Sequence, residues 1–344
     1  MSKQFFFLKL LLAAGLLFGI SSCSQSEWKQ KHNISFYHWK SSFNVDEETR
    51  EITRELDCQK VYIHLFDVVN KNGSIEPVDE IMPIDTNILF SDSVKLVPTV
   101  FISNDVFINM PEENVYSLAS SVNRLIEEIA LYGIHTSNYS EIQIDCDWTA
   151  STKDIYFKFL SDLAECNQFS PKEITSTIRL HQVKDVAVMG VPPVKKGYLM
   201  CYATSDPRDG EKSNSILDIK LLKNYTQNLE SYPINLDFAL PLYSWGIVTN
   251  HNGKVKLVNG ISKTDLENDG FKKMSGNKYL VLEDCFINGL YINKDFTIEV
   301  EEITPDLLRK AKVYLDEKVN HEYNIVYYHL SKGFLKRFTI NDLN

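Results

Sequence analysis

The sequence predicts an α/β fold, a (β/α)8 TIM barrel with a β-rich insertion between strands seven and eight. Eight short runs rich in β-branched and aromatic residues punctuate the chain, and amphipathic stretches of helical period lie between them. That alternation is the signature of parallel βα units. A third observation sets the scale. The chain has 344 residues, 44% of them hydrophobic, and its six cysteines form no dense or evenly paired framework, so stability must come from one large apolar core.

In chain order the expected strands are Ile34 to Trp39, Lys60 to Phe66, Lys95 to Ile102, Glu141 to Asp147, Ile174 to Leu180, Gly197 to Ala203, Asn235 to Leu242 and Asn324 to Leu330. Of the intervening helices, Glu112 to Tyr132 is the clearest. It carries Val115, Leu118, Ala119, Val122, Leu125, Ile126 and Ile129 on one stripe and ends at Gly133. Ser151 with Asp154 three residues on resembles a capping box, and turns Phe157, Leu160 and Leu163 inward. Thr304 followed by Pro305 starts a helix running to about Val319. The stretch from Gly246 to Ile303 exceeds what a βα connection needs and is itself β-like in Lys254 to Val258, Tyr279 to Glu283 and Thr297 to Val300, which makes it an insertion.

The N-terminus has a different character. Lys3 and Lys9 flank a Phe run, and the uncharged stretch from Leu10 to Ile20 is too short to span a bilayer as a helix. It ends in Ile20-Ser21-Ser22-Cys23, which resembles the lipobox of bacterial lipoproteins. The resemblance implies a signal peptide over residues 1 to 22, a lipid on Cys23, a tether over 23 to 32, and a single barrel domain over 33 to 344. Ser24, rather than Asp, looks like the pattern that sends lipoproteins to the outer membrane. Removing residues 1 to 22 takes away two lysines and no acids, so the formal charge moves from −10 to −12. A chain this acidic makes nucleic acid and anionic lipid surfaces poor partners, leaving the lipid at Cys23 as the expected link to a membrane.

In a barrel of this type the working residues gather at the C-terminal ends of the strands, where the loops converge on one mouth. Those ends supply His38 and Trp39, Asp67, Asp145 to Trp148, Arg179, Gln182, Tyr202, Tyr243 and Trp245, and His329. Aromatic rings beside carboxylates and planar donors suit a sugar, whose apolar faces stack on rings and whose hydroxyls take paired hydrogen bonds. Strand four is the sharpest element, because period two puts Gln143, Asp145, Asp147 and Thr149 on one face and Ile142, Ile144, Cys146 and Trp148 on the other. Carboxylates two residues apart on a strand lie about 6 to 7 Å apart. Facing into a barrel they repel, which favours one keeping its proton. A buried ion pair with Arg179 of the adjacent strand is the alternative.

Asp145-Cys146-Asp147-Trp148 resembles the fourth-strand signature of glycoside hydrolase family 18, the chitinase-like barrels, in which alternating aspartates precede a Trp and a catalytic Glu. Met200-Cys201-Tyr202 is similar to that family's sixth-strand Met-x-Tyr, whose Tyr positions the substrate's acetamido group. The resemblance implies a glycan or oligosaccharide ligand. The sequence departs from the family where it matters most. Thr149 stands at the position of the acid Glu, and a Thr hydroxyl is too weak an acid to protonate a glycosidic oxygen.

Three readings therefore stand side by side. One is a glycoside hydrolase with Asp147 as proton donor, Asp145 holding the second charge and Tyr202 orienting the substrate. Another is a catalytically inactive glycan-binding barrel with Trp39, Trp148, Tyr202, Tyr243 and Trp245 as platforms, and the third is a structural envelope lipoprotein whose mouth docks a protein. No GxSxG elbow, P-loop or HExxH helix occurs, so no cofactor is expected. His38, His64, His181 and His329 lie on four different strands without ligand spacing, so no metal site is expected, and Cys146 and Cys201 read as apolar fillers.

Overall fold

Continuous apolar runs become strands buried on both faces, as parallel strands covered by helices require. A computed structural model describes residues 32–344 except 43–44, 84–92, 137, 169–170 and 209–213. The signal peptide, the lipidation site Cys23 and all but the last residue of the tether lie outside the described residues. The eight barrel strands, in chain order, are Ile34–His38, Lys60–Lys71, Lys95–Ile102, Glu141–Asp145, Glu173–Arg179, Lys196–Met200, Asn235–Pro241 and Ile325–Tyr328. All neighbours are parallel, in the spatial order one, eight, seven, six, five, four, three, two, and strand one pairs with both strand eight and strand two. The barrel is closed, with Ile34 opposite Ile325 and Ser35 opposite Lys60.

Strand two continues past the expected end at Phe66 and folds back on Ser74–Val78 as a hairpin. Its turn is Asn72-Gly73, both with positive φ, the pair that a tight two-residue turn favours. Strands four and six stop at Asp145 and Met200, earlier than their sequence patterns suggest. The residues just beyond, Asp147 and Tyr202, are therefore free of the sheet ladder and turn into the mouth. At Gly197 the barrel wall is tight, since a Cβ there would strike the Ile178 and Leu236 side chains.

The helices follow their apolar stripes. Glu112–Glu128 buries Val115, Ala119, Val122 and Ile126, and its last turn loosens over Ile129–Gly133. Pro305–Lys318 is capped by the Thr304 hydroxyl, which accepts from Leu307 N at 3.2 Å. The expected capping box at Ser151 does not form, because the helix starts at Lys153 and the hydroxyl of the preceding Thr152 instead accepts from Thr149 N at 3.0 Å.

Between strands seven and eight, Ser244–Thr249, Val255–Asn259, Phe271–Lys273, Lys278–Val281 and Thr297–Glu302 form an antiparallel sheet, accompanied by the hairpin of Cys285–Ile287 and Leu290–Ile292. These strands pack around their own apolar cluster, which includes Val248, Val258, Ile261, Tyr279, Val281 and Ile298. A buried carboxylate ties the sheet to the barrel loops. Glu301 accepts from Trp245 Nε1 at 2.8 Å and from Ser215 N, in the loop after strand six, at 2.9 Å.

Candidate functional site

The inward face of strand four builds the floor of the site from the bottom up. Lowest is buried Glu141, which accepts from Lys60 Nζ at 2.6 Å and from Tyr198 OH and Thr175 Oγ1 at 2.9 Å each. Gln143 comes next, fully buried, and then Asp145, 3% exposed. Asp147, with 48% of its side chain exposed, is uppermost. Strand geometry sends alternate residues to one face, so this row climbs from the packed interior to the mouth. The same alternation sends Ile142, Ile144 and Cys146 outward under the helices, and Cys146 and Cys201 are indeed buried and free.

Arg179, at the end of strand five, ties the two upper acids together. Its Nε donates to Asp147 Oδ1, and its guanidinium lies 3.8 Å from Asp145 Oδ1. Asp145 also accepts from Thr177 Oγ1 at 2.6 Å. Burial pushes the Asp145 carboxyl up, and the Asp147 charge adds to this while Arg179 and Thr177 oppose it. For Arg179, burial works against the charge, but the two aspartates more than offset it and hold the guanidinium protonated. The expected ion pair and the expected repulsion between acids therefore occur together in one cluster.

Above this cluster opens a cavity of about 1030 Å³. Its walls carry Trp39, Tyr202, Tyr243, Trp245 and Tyr328, with Phe334 at the C-terminal side. The rings brace one another: Tyr202 lies 5.4 Å from Tyr328 and 6.1 Å from Tyr243 at right angles, and Tyr243 lies 5.5 Å from Trp245. Desolvation raises the Tyr202 and Tyr243 phenols, so both present neutral hydroxyls. Asp67 lines the cavity with its carboxylate against His64 Nε2 at 2.6 Å, and His329 lines it from the end of strand eight. The insertion contributes Asn259, Gly260, Ser262, Asp265 and Asn288.

Three expected ligand contacts are corrected by this geometry. Trp148 is fully buried away from the cavity, stacked on Tyr156 at 5.4 Å, with its indole N–H satisfied by Met189 O at 3.0 Å. Gln182 is a buried brace, accepting from Arg179 N at 2.7 Å and donating to Trp148 O at 3.0 Å, so it holds the strand ends and does not face a ligand. His38 does not line the cavity, because the alternation that turns Tyr37 and Trp39 inward turns His38 outward, where it is 2% exposed. Thr149 also lies off the cavity, its hydroxyl 3.0 Å from Ser151 Oγ.

Tyr328, Lys40, Phe334, Lys336 and the insertion residues were not expected. Tyr328 carried a signal, since it immediately precedes His329 at a strand end. Apart from Lys40, which directly follows Trp39, the others come from the insertion and from the segment after strand eight, whose placement depends on the closed barrel. Among the described residues no group of His, Cys, Asp and Glu is arranged to hold a metal ion.

No protein-family model matches this sequence, and none of the curated proteins aligns with it significantly. Solved structures do share the fold. The spore cortex-lytic enzyme SleL of Bacillus megaterium QM B1551 superposes with a TM-score of 0.59 at 13% identity, over 91% of this chain and 72% of that one. A chitinase from Chromobacterium violaceum ATCC 12472 gives 0.57 at 9% identity, over 91% and 99%. The GH18 chitinase ChiB from the chitin utilization locus of Flavobacterium johnsoniae gives 0.54 at 11%, over 91% and 93%. At such identities the likeness is one of fold: the chain is a (β/α)8 barrel of the fold that these enzymes share.

Proposed function

We propose that, on this chitinase-type barrel, the mouth binds a glycan chain, its rings stacking on sugar faces and the Asp145, Arg179 and Asp147 cluster taking sugar hydroxyls. The observation that carries the reading is the convergence of Trp39, Tyr202, Tyr243, Trp245 and Tyr328 with that charged cluster in a single open cavity. Sugars present apolar faces and polar edges, and charged planar donors beside carboxylates hold paired hydroxyls. A cavity of about 1030 Å³ stands at the top of the range for small-ligand sites, large enough for several sugar units. The solved structures of similar fold include chitinases and a cortex-lytic enzyme, which adds weight to a carbohydrate ligand. The lipid anchor and outer-membrane location expected from residues 1 to 24 remain part of this proposal, and fractionation of the producing cell reports them directly.

Binding to an array of N-acetylated and plain oligosaccharides tests the reading. Trp245→Ala is expected to weaken the best binder by about tenfold or more, since a lost stacking ring in a polar pocket costs on the order of 1 to 2 kcal/mol. An array on which no glycan binds overturns the proposal.

Hydrolysis is the second reading, favoured by the unequal settings of the two acids. Burial favours the protonated form of Asp145, so the cluster can hold a proton just beneath the mouth, where Asp147 stands exposed against Arg179. Asp147 is the outermost carboxyl of the inward row, two residues before Thr149, which stands where the family has its Glu. Asp147 then stands nearest the glycosidic oxygen and passes to it the proton that the buried Asp145 beneath it holds, and Tyr202 orients the substrate. On any substrate from which product is released, Asp147→Asn is expected to lower the rate by about 100-fold or more with the melting temperature kept. A variant with unimpaired turnover removes Asp147 as the acid.

A further inference from the structure

A second titratable pair stands at the mouth, apart from the strand-four cluster. On strand two, His64 Nε2 lies 2.6 Å from Asp67 Oδ1. Residues three apart on a regular strand point to opposite faces, so this contact needs a break in the alternation. Strand two supplies one. His64 stands opposite Thr99 of strand three and Phe66 opposite Val100, which leaves Leu65 as an extra residue with no counterpart. The bulge puts on one face His64, which continues the inward row of Tyr62, and Asp67, which lines the cavity. Leu65 O accepts from Ile81 N at 2.8 Å, which fixes the extra residue in place. Bulges at barrel rims re-aim side chains beside working sites, and this one delivers a carboxylate, 23% exposed, backed by a buried imidazole.

The pair faces the strand-four acids across one ring. Asp67 is in register with Phe101 of strand three, and Phe101 with Asp145 of strand four, so the three form one row, and all of them line the cavity. Two strand spacings set the backbones of Asp67 and Asp145 about 9 to 10 Å apart. Carboxyl groups that flank a glycosidic bond with a water between them stand about 6.5 to 9.5 Å apart, whereas those that attack the sugar directly stand about 5 to 5.5 Å apart. Inward side chains of a closed barrel converge, so this spacing belongs with the wider range. Asp145 and Asp147 do not supply the opposing group themselves. They share one strand and one guanidinium, and so stand on the same side of a sugar seated over Phe101.

We propose that Asp67 is the catalytic base of a hydrolytic site, positioned by His64, and that the glycosidic bond is cleaved with inversion at the anomeric carbon. The inference rests on the hydrolytic reading and supplies the group that activates the water. The water oxygen bonds to the anomeric carbon while the bond from that carbon to the leaving oxygen breaks, its electron pair going to that oxygen. Asp67 takes a proton from the water, and the leaving oxygen takes the proton delivered through Asp147. Exchange with solvent then restores both carboxyls. His64 stays behind Asp67, covered by the Trp39 ring at 4.8 Å, and its hold on Oδ1 turns Oδ2 towards the water.

Incubation of the full chain with chitohexaose, cellohexaose, xylohexaose, laminarihexaose and mannohexaose tests it, the configuration of each fresh reducing end being read by proton NMR before mutarotation. All are β-linked, so the first product is expected to be the α anomer. Asp67→Asn is expected to lower kcat by about 100-fold or more with KM little changed. In Asp67→Ala, azide, a nucleophile that needs no base, is expected to restore turnover and give the α-glycosyl azide. His64→Gln, which keeps a donor in the place of Nε2, is expected to retain most of kcat, whereas His64→Leu loses about tenfold or more at unchanged KM. A β product, full turnover in Asp67→Asn, or a folded Asp67→Ala that azide does not rescue overturns the assignment and leaves hydrolysis standing. The product configuration is read on the wild type, so it decides even where a variant fails to fold. No product from any of these hexasaccharides overturns the hydrolytic reading and this assignment with it.

Discussion

Replacing Arg179 by methionine is expected to lower stability by about 3 kcal/mol at neutral pH, read as a fall in melting temperature of several degrees. The reason lies in what the substitution leaves behind. Asp145 is 3% exposed and depends on Arg179 for compensation, so removing the guanidinium strands a buried carboxylate, and the loss is at the low end because Arg179 is itself a quarter exposed. The loss is expected to depend on pH. A carboxyl whose folded-state value is raised contributes stability that is full below the unfolded value, near 3.9, and is lost as pH rises through the folded value. Without Arg179 that rise is larger, so the gap between variant and wild type should close as pH approaches 4. Adding Asp145→Asn should recover most of the loss, and a melting temperature unchanged by Arg179→Met at pH 7 would show that the cluster contributes no stability.

Acidification is expected to produce the other large effect, through His38 and His329. Burial, then the neighbouring His329 and Lys40 charges, push the His38 imidazole down to about 3, while burial and Lys40 push that of His329 down to about 4. The unfolded chain binds protons on both below about 6.5, which the folded chain refuses until pH is near 4. Their contribution to stability is therefore full above pH 6.5 and is lost as pH falls towards 4. Each histidine supplies a slope of about 1.4 kcal/mol per pH unit, so the pair accounts for a loss on the order of 5 kcal/mol across that window. Asp145, whose carboxyl burial pushes up, works in the opposite sense and offsets part of it. Melting temperatures from pH 7 to 4 should fall steeply for the wild type and much less for the His38→Gln, His329→Gln double variant. Equal slopes would dismiss the histidines as the cause.

How much of this was legible in the sequence depended on whether neighbours along the chain or neighbours in space decide the outcome. The barrel strands were readable because burial on both faces demands unbroken apolar runs, and Lys95–Ile102 begins and ends where its composition changes. Strands four and six were read two or three residues too long because alternation continues past the last ladder bond, which composition does not register. The hairpin of Ser74–Val78 was missed despite its Asn-Gly turn, and Ser244–Thr249 because only Leu242 and Tyr243 separate it from strand seven, with no turn residue between. At the site, the rule of strand ends found the aromatic wall and the charged cluster. It misplaced Trp148, although the alternation that turns Asp147 inward turns its neighbour outward. Gln182 was misplaced for another reason: whether an amide meets a ligand or braces a backbone is fixed by tertiary packing alone. Lys40, directly after Trp39, carried the same signal as Tyr328, whereas Asn259 and Asn288 reach the mouth from the insertion, and nothing local marks them.

The seam between the first and last barrel strands joins segments almost 300 positions apart, Ile34 against Ile325, and is reinforced where His32 meets Asp316 at 2.9 Å. During synthesis the opening strand therefore has one edge without its permanent neighbour until the eighth strand has left the ribosome. Such a late, long-range join ties closure to the pace of translation and keeps the nascent chain open, a state that anything meant to handle it before it sets would find accessible.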